Sequence, residues 1–355
     1  ALHLCAGQMP RSACAADRRR PRRLLVPNGC GKGILMALIS VSSLTRVFDV
    51  SKPWLNRVIE RRAKAFLTAV SDVDFDVEER STYALVGESG SGKSTIGRML
   101  VGLLTPTSGS VEIHGINLAT EADAGKIDRI RSDIQMIFQD PFASLNPRWR
   151  VRDIIVEPVA ARGGDTTGMA ERLLEQVGLS ALDAGKFPHE FSGGQRQRIC
   201  IARALSSEPK LIVCDEPTSA LDVSVQAQVL NLMSDLKDNF GLTYVLISHD
   251  LTVVQHMADR IGVLYLGRLV EEASPEDLFS DTKHPYTQML LEAAPRMDGF
   301  GREAELPEGE IPDPINPPTG CAFHPRCPIA TDICKAERPV MRQIKNTRVA
   351  CHLAE

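Results

Sequence analysis

The sequence predicts an α/β fold on a mostly parallel β-sheet, and three observations carry that expectation. Compact apolar runs ended by polar residues recur along the chain: "STYALVG", "DIQMIF", "KLIVCDEP" and "LTYVLISHD". Helical stretches such as "VQAQVLNLMSDLKDNFG" separate them. A glycine-rich turn follows the first run and opens another helix, "KSTIGRMLVGLL". Strands that alternate with helices pair in parallel and bring functional groups to their carboxyl ends.

Composition sets the frame. A chain of 355 residues can bury one large core or two modest ones. The hydrophobic share of 43% and charged share of 24% are those of an ordinary globular protein. A formal net charge of −4 gives no global reason to expect nucleic acid as a partner. No stretch reaches the roughly 18 apolar residues that cross a bilayer, so a membrane role has to come through a partner.

Taken in order, residues 1–35 read as a disordered or non-native leader. "ADRRRPRRLLVPNGCGKG" is arginine-rich, broken by proline and without helix or strand periodicity, and Met36 is the expected natural start. The basic run before Leu24 faintly resembles a secretion signal, which Pro27, Asn28, Gly29 and Lys32 interrupt. "ALISVSSLTRVF" and "AFLTAVSDVDFDV" alternate as strands. Between them, "KPWLNRVIERRAKAF" places Trp54, Leu55, Val58 and Ile59 on one helical face opposite Arg57, Arg61, Arg62 and Lys64. Such a face packs on its own domain or lies on a membrane surface. After Pro295 proline and glycine become frequent, which marks a linker and then a small tail module.

The loop between the first run and its helix fits the phosphate-cradling pattern G-x-x-x-x-G-K-[ST] at Gly87, Gly92, Lys93 and Ser94. Its glycines, with Gly90 and the hydroxyls of Ser89 and Thr95 alongside, let backbone N–H groups converge on phosphates at a helix N-terminus. Lys93 reaches the β- and γ-phosphates, and the Ser94 hydroxyl is a ligand for Mg2+. A second stretch, "VPNGCGKGI", is a decoy. Val26 stands where the first glycine belongs, Gly33 replaces the hydroxyl after Lys32, and no strand precedes it. Downstream, "LIVCDEPTSALD" carries Asp215 and Glu216 to a strand end. There Asp215 would hold Mg2+ and Glu216 would polarise an attacking water.

"FSGGQRQRICIARAL" at 191–205 narrows the reading. Ser192 can cap a helix that starts at Gly193 and Gly194, leaving N–H groups free for an anion. With the loop and the acid pair, this stretch resembles the signature of ATP-binding-cassette (ABC) ATPases, with Phe191 in place of the usual leucine. The resemblance covers residues 36–295 and implies a RecA-like P-loop NTPase core of the ABC ATPase type. It also implies an antiparallel β subdomain, a helical subdomain at about 140–205 and a C-terminal extension at 296–355. In that family Ser192, Gly193, Gly194 and Gln195 address the γ-phosphate bound to the opposite subunit, so two ATP-binding subunits, identical or homologous, complete each site. Gln139 in "MIFQDP" resembles the Q-loop glutamine that senses Mg2+ or water, and Asp222 closes a stretch resembling the D-loop. His249 in "VLISHD" resembles the switch histidine that bonds the γ-phosphate. Phe48 is a candidate to stack on adenine, with a core phenylalanine the other reading.

"QDPFASLNPR", "HPYTQMLLEAAP" and "GCAFHPRCPIATDIC" resemble the ATPase subunits of bacterial dipeptide and oligopeptide importers. That resemblance implies a peripheral subunit on the cytoplasmic face of the inner membrane, driving two transmembrane permease subunits fed by an extracytoplasmic solute-binding protein. Relatives import nickel, glutathione or other small solutes. A soluble ABC ATPase of DNA repair or translation is the competing class, but such proteins carry paired cassettes or long arms that this sequence lacks.

Of the nine cysteines, Cys321, Cys327, Cys334 and Cys351 crowd the tail. Phosphate chemistry in the same chain favours a reducing cytosol over a disulfide framework. Four thiolates could enclose a metal and give order to a tail with little core. Their wide gaps and the importer resemblance point to a [4Fe–4S] cluster rather than zinc, against the alternative of four free thiols. Cys200 and Cys214 read as small buried apolar residues.

Overall fold

The computed structural model describes residues 37–51, 63–121, 123–293 and 312–355. The leader at 1–35 and the amphipathic face at Trp54–Ile59 lie outside the described residues. Met36–Glu355 forms one compact unit.

Two sheets organise it. Strands β1 (Ile39–Asp49), β2 (Phe66–Val77), β4 (Ser108–Ile113) and β5 (Ile116–Asn117) form an antiparallel sheet in the order β2-β1-β4-β5. The alternation read in the sequence appears as a face: Val73, Phe75 and Val77 of β2 are buried while Asp72, Asp74 and Asp76 are not. The larger sheet contains β3 (Thr82–Val86), β6 (Ile134–Ile137), β7 (Leu211–Asp215), β8 (Thr243–Ile247) and β9 (Arg260–Tyr265), all parallel, in the order β9-β3-β8-β7-β6. Strands β3, β7 and β8 are buried at every position, which is why they read as unbroken apolar runs rather than alternating ones.

Helix α1 (Lys93–Leu100) follows β3 and turns Ile96, Gly97, Met99 and Leu100 inward. A Cβ at Gly97 would stand 2.7 Å from Ile247 Cδ1, so the glycine lets α1 settle closely on β8. Helix α2 (Ala124–Asp133) precedes β6. Helices α3 (Pro141–Ser144), α4 (Val151–Ala160), α5 (Met169–Gln176) and α6 (Gly193–Leu205) then occupy the stretch expected to be helical, and α6 buries Ile199, Cys200, Ile201, Ala202, Ala204 and Leu205. Helix α7 (Val223–Phe240) ends on Gly241 at φ 64°, a left-handed cap that glycine adopts without steric cost.

The tail departs from expectation. After α8 (Leu251–Met257), β10 (Arg268–Ala273), α9 (Pro275–Ser280) and α10 (Pro285–Ala293), the chain returns through α11 (Asp332–Ala336) to β11 (Arg342–Ile344) and β12 (Thr347–Val349). β12 pairs antiparallel with β10, with Val349 opposite Glu271 and Arg348 opposite Glu272, and β11 pairs antiparallel with β12 at the edge of the core sheet. The tail takes its order from the sheet edge and from Phe323, which is 2% exposed among Tyr265, Tyr286 and His284.

Candidate active site

The carboxyl ends of β3, β7 and β8 meet over one cleft of about 600 Å³. Its lining includes Phe48, Ser89, Gly90, Gly92, Lys93, Ser94, Thr95, Gln139, Glu216 and His249. Gly92 stands at φ 102°, and a Cβ there would drive into the Ala69 carbonyl oxygen. The turn can therefore press its backbone against β2.

Lys93 opens α1 but is 5% exposed. Its ammonium donates to the carbonyls of Gly87 at 2.6 Å and Glu88 at 2.9 Å. Burial lowers its pKa, opposed by the carboxylates of Glu216, Asp215 and Glu88. Ser94 Oγ donates to Asp215 Oδ1 at 2.8 Å. Burial raises the Asp215 pKa, and this hydroxyl and Arg98 pull it back. A hydroxyl and a carboxylate held together beside a phosphate loop make a suitable pair for Mg2+. That ion keeps water and phosphate ligands and needs few from the protein.

Glu216 is the hub of the catalytic candidates. Its backbone sits in the left-handed region at φ 48°, unusual outside glycine, and its N–H donates to Ile247 O at 2.9 Å. That conformation turns the side chain to meet Gln139 Nε2, which donates to Oε2 at 2.7 Å, and His249 Nδ1, 3.1 Å from Oε1. Residues from three separate strand ends thus converge on one carboxylate. Phe48 lines the mouth of the cleft, with the Arg46 guanidinium 4.7 Å over its ring.

Ser192, Gly193, Gly194, Gln195 and Asp222 do not line this cleft. Ser192 caps α6 in a reciprocal box: Gln195 N–H donates to its Oγ at 3.4 Å, and its own N–H donates to Gln195 Oε1 at 2.9 Å. Ser192, Gly193 and Gln195 are exposed, as is Asp222 at the start of α7. A helix N-terminus presented outward suits an anion brought by another molecule.

Comparison with known proteins agrees with the geometry. Residues 70–219 match the ABC transporter family, and residues 270–334 match the oligopeptide/dipeptide transporter C-terminal region. The oligopeptide transport ATP-binding protein AppF of Bacillus subtilis is 48% identical over 90% of this chain and 99% of its own length. The chain belongs to the ABC transporter family. A di/tripeptide transport ATP-binding protein of Pseudomonas aeruginosa is 44% identical over 90% of this chain and 98% of its own. Among solved structures, a dimeric ATP-binding cassette in a post-hydrolysis state with ADP and phosphate is 28% identical and covers 67% of this chain and 98% of its own, with a TM-score of 0.57. As a member of this ABC family the chain is an ATPase, acting on ATP with Mg2+.

One expectation needs correction. Among the described residues, which include all four tail cysteines, no group of three or more histidine, cysteine, aspartate or glutamate side chains is placed to hold a metal ion. An iron–sulfur cluster through Cys321, Cys327, Cys334 and Cys351 is not supported. The tail needs no metal to order it, because strand addition and the buried Phe323 supply that order. Burial, with neighbouring thiols adding to it, raises the pKa of Cys321 and Cys327. Cys200 and Cys214 are buried as expected, and burial pushes the Cys200 pKa up to about 12. Sequence reasoning missed Glu88, Tyr286 and Arg326, which hold the loop from behind. Nothing in the local pattern pairs residues 238 positions apart.

Proposed function

We propose that this chain is the ATP-hydrolysing subunit that powers a membrane importer of dipeptides or oligopeptides. The convergence of Gln139 and His249 on Glu216 beside the phosphate loop carries the proposal. The relatives named for oligopeptide and di/tripeptide transport support the peptide class. In this reading the chain sits peripherally at the cytoplasmic face of the inner membrane. It works with two permease subunits, a second ATP-binding subunit and, indirectly, an extracytoplasmic binding protein.

The residues divide the work. Phe48 receives the adenine, and residues 87–95 with Lys93 wrap the phosphates. Ser94, Asp215 and Gln139 would hold Mg2+, which would supply charge neutralisation for the phosphates. Glu216 accepts hydrogen bonding from the attacking water and aims it at the γ-phosphorus, and the bond to the ADP oxygen breaks as phosphate leaves. His249, bonded to the same carboxylate, keeps it oriented and reaches the γ-phosphate. Ser192 to Gln195 and Asp222 of the second subunit close the other side, so hydrolysis is tied to closing and reopening of the pair.

Glu216→Gln keeps the hydrogen-bonding shape and removes the base. ATP binding is expected to stay within about threefold of wild type while turnover falls at least 100-fold, measured by phosphate release beside equilibrium nucleotide binding. Normal turnover in that variant would remove Glu216 from the assigned role.

A further inference from the structure

The phosphate loop is held from behind by the C-terminal extension. Arg326 ends the short turn His324–Arg326, and its side chain is 4% exposed. Its Nη1 donates to Glu88 Oε2 at 2.8 Å and its Nη2 to Glu88 Oε1 at 3.1 Å, a two-pronged pairing with a residue inside the loop. The guanidinium lies 6.0 Å from the Tyr265 ring centre and 5.9 Å from that of Phe323. The aromatic packing around Phe323 thus fixes where Arg326 can point.

Glu88 is tied at three places. Its carboxylate is held by Arg326 from the extension. Its N–H donates to the Tyr286 hydroxyl of α10 at 2.9 Å. Its carbonyl accepts from Lys93 Nζ at 2.9 Å. One residue therefore links the tail, α10 and the lysine expected to meet the phosphates. Charge reinforces the geometry, because an unpaired carboxylate in a loop built for a polyanion repels its ligand, and Arg326 supplies the missing cation.

We propose that Arg326 is a positioning residue of the phosphate loop: by pairing with Glu88 it shapes and neutralises the loop, so the C-terminal extension sets the affinity for the nucleotide's phosphates. This rests on the reading of residues 87–95 as the phosphate site. The pairing is part of the folded chain and needs no second subunit.

The test uses the full chain, with binding of Mg2+ and a fluorescent ATP analogue read beside amide hydrogen exchange of residues 87–93 and a melting curve for each variant. Arg326→Met keeps length and apolar packing, and is expected to weaken binding about tenfold and speed loop exchange, because it orphans a partly buried carboxylate. Arg326→Lys restores a cation but not the fork, and is expected to bind between Arg326→Met and wild type. If Arg326→Met does not fold, Glu88→Gln breaks the pair from its more exposed side and is expected to speed exchange of the same amides several-fold. Binding and loop exchange unchanged in Arg326→Met, or exchange unchanged in Glu88→Gln, would overturn the proposal if Lys93→Ala loses the nucleotide. If Lys93→Ala binds as wild type, the phosphate-loop reading fails, and the clamp with it.

Discussion

His284 has a pKa lowered to about 4 from 6.5, because its imidazole is 1% exposed and charging it there has no solvent to help. Its Nδ1 accepts the Tyr286 N–H at 3.1 Å, a bond that needs the neutral ring, and its other face meets Phe323. The unfolded chain takes this proton near pH 6.5 and the folded chain only near 4. The contribution to stability is therefore complete above 6.5 and is lost as pH falls through that window, by roughly 3 kcal/mol in all. His284→Gln keeps an acceptor and cannot titrate, so its stability is expected to fall less steeply between pH 6.5 and 4.5 in urea unfolding. Identical slopes for the two proteins would contradict this. At the same scale, the cleft residues were readable because the chemistry fixes local spacing: Gly87, Gly92, Lys93 and Ser94 sit in one turn, and Asp215 and Glu216 end one strand. The fork from Arg326 to Glu88 was not readable, because folding alone brings those residues together.

Among the elements, strands and helices near the site declared themselves. Unbroken apolar runs became the central parallel strands, and "FSGGQ" became a capped helix start through Ser192 and Gln195. Strand order and the edge of the sheet did not declare themselves, since β11 and β12 are only three residues each and carry weak periodicity. The iron–sulfur expectation finds no support there, on a tail whose last strand pairs with β10. Arg348 and Arg260 both reach Glu272, a carboxylate 2% exposed, so this edge is locked by charge as well as by backbone bonds. Val349 is fully buried. Val349→Asp would place a carboxylate in that site at a cost of several kcal/mol. Amides paired between β10 and β12 are expected to lose exchange protection while β3 and β8 keep theirs. Equal protection along β10 in both proteins would contradict the docking of the tail strand.

At the scale of the molecule, the cleft and the exposed α6 start face different requirements. The cleft gathers the loop, the acids and His249 from one chain, while Ser192, Gly193 and Gln195 stand outside it as exposed residues at the start of α6. The proposed account joins them across two subunits, with nucleotide at the seam. Sequence marks both stretches by local spacing but carries no register for a second chain. The most direct measurement is sedimentation velocity of the Glu216→Gln full chain, alone and co-expressed with a companion ATP-binding subunit, with and without Mg2+ and ATP. The account predicts a two-cassette particle that forms only with nucleotide and retains it, and that Ser192→Arg disperses without loss of ATP binding. A single-cassette species at saturating ATP in both settings, or a pair indifferent to nucleotide, would contradict it.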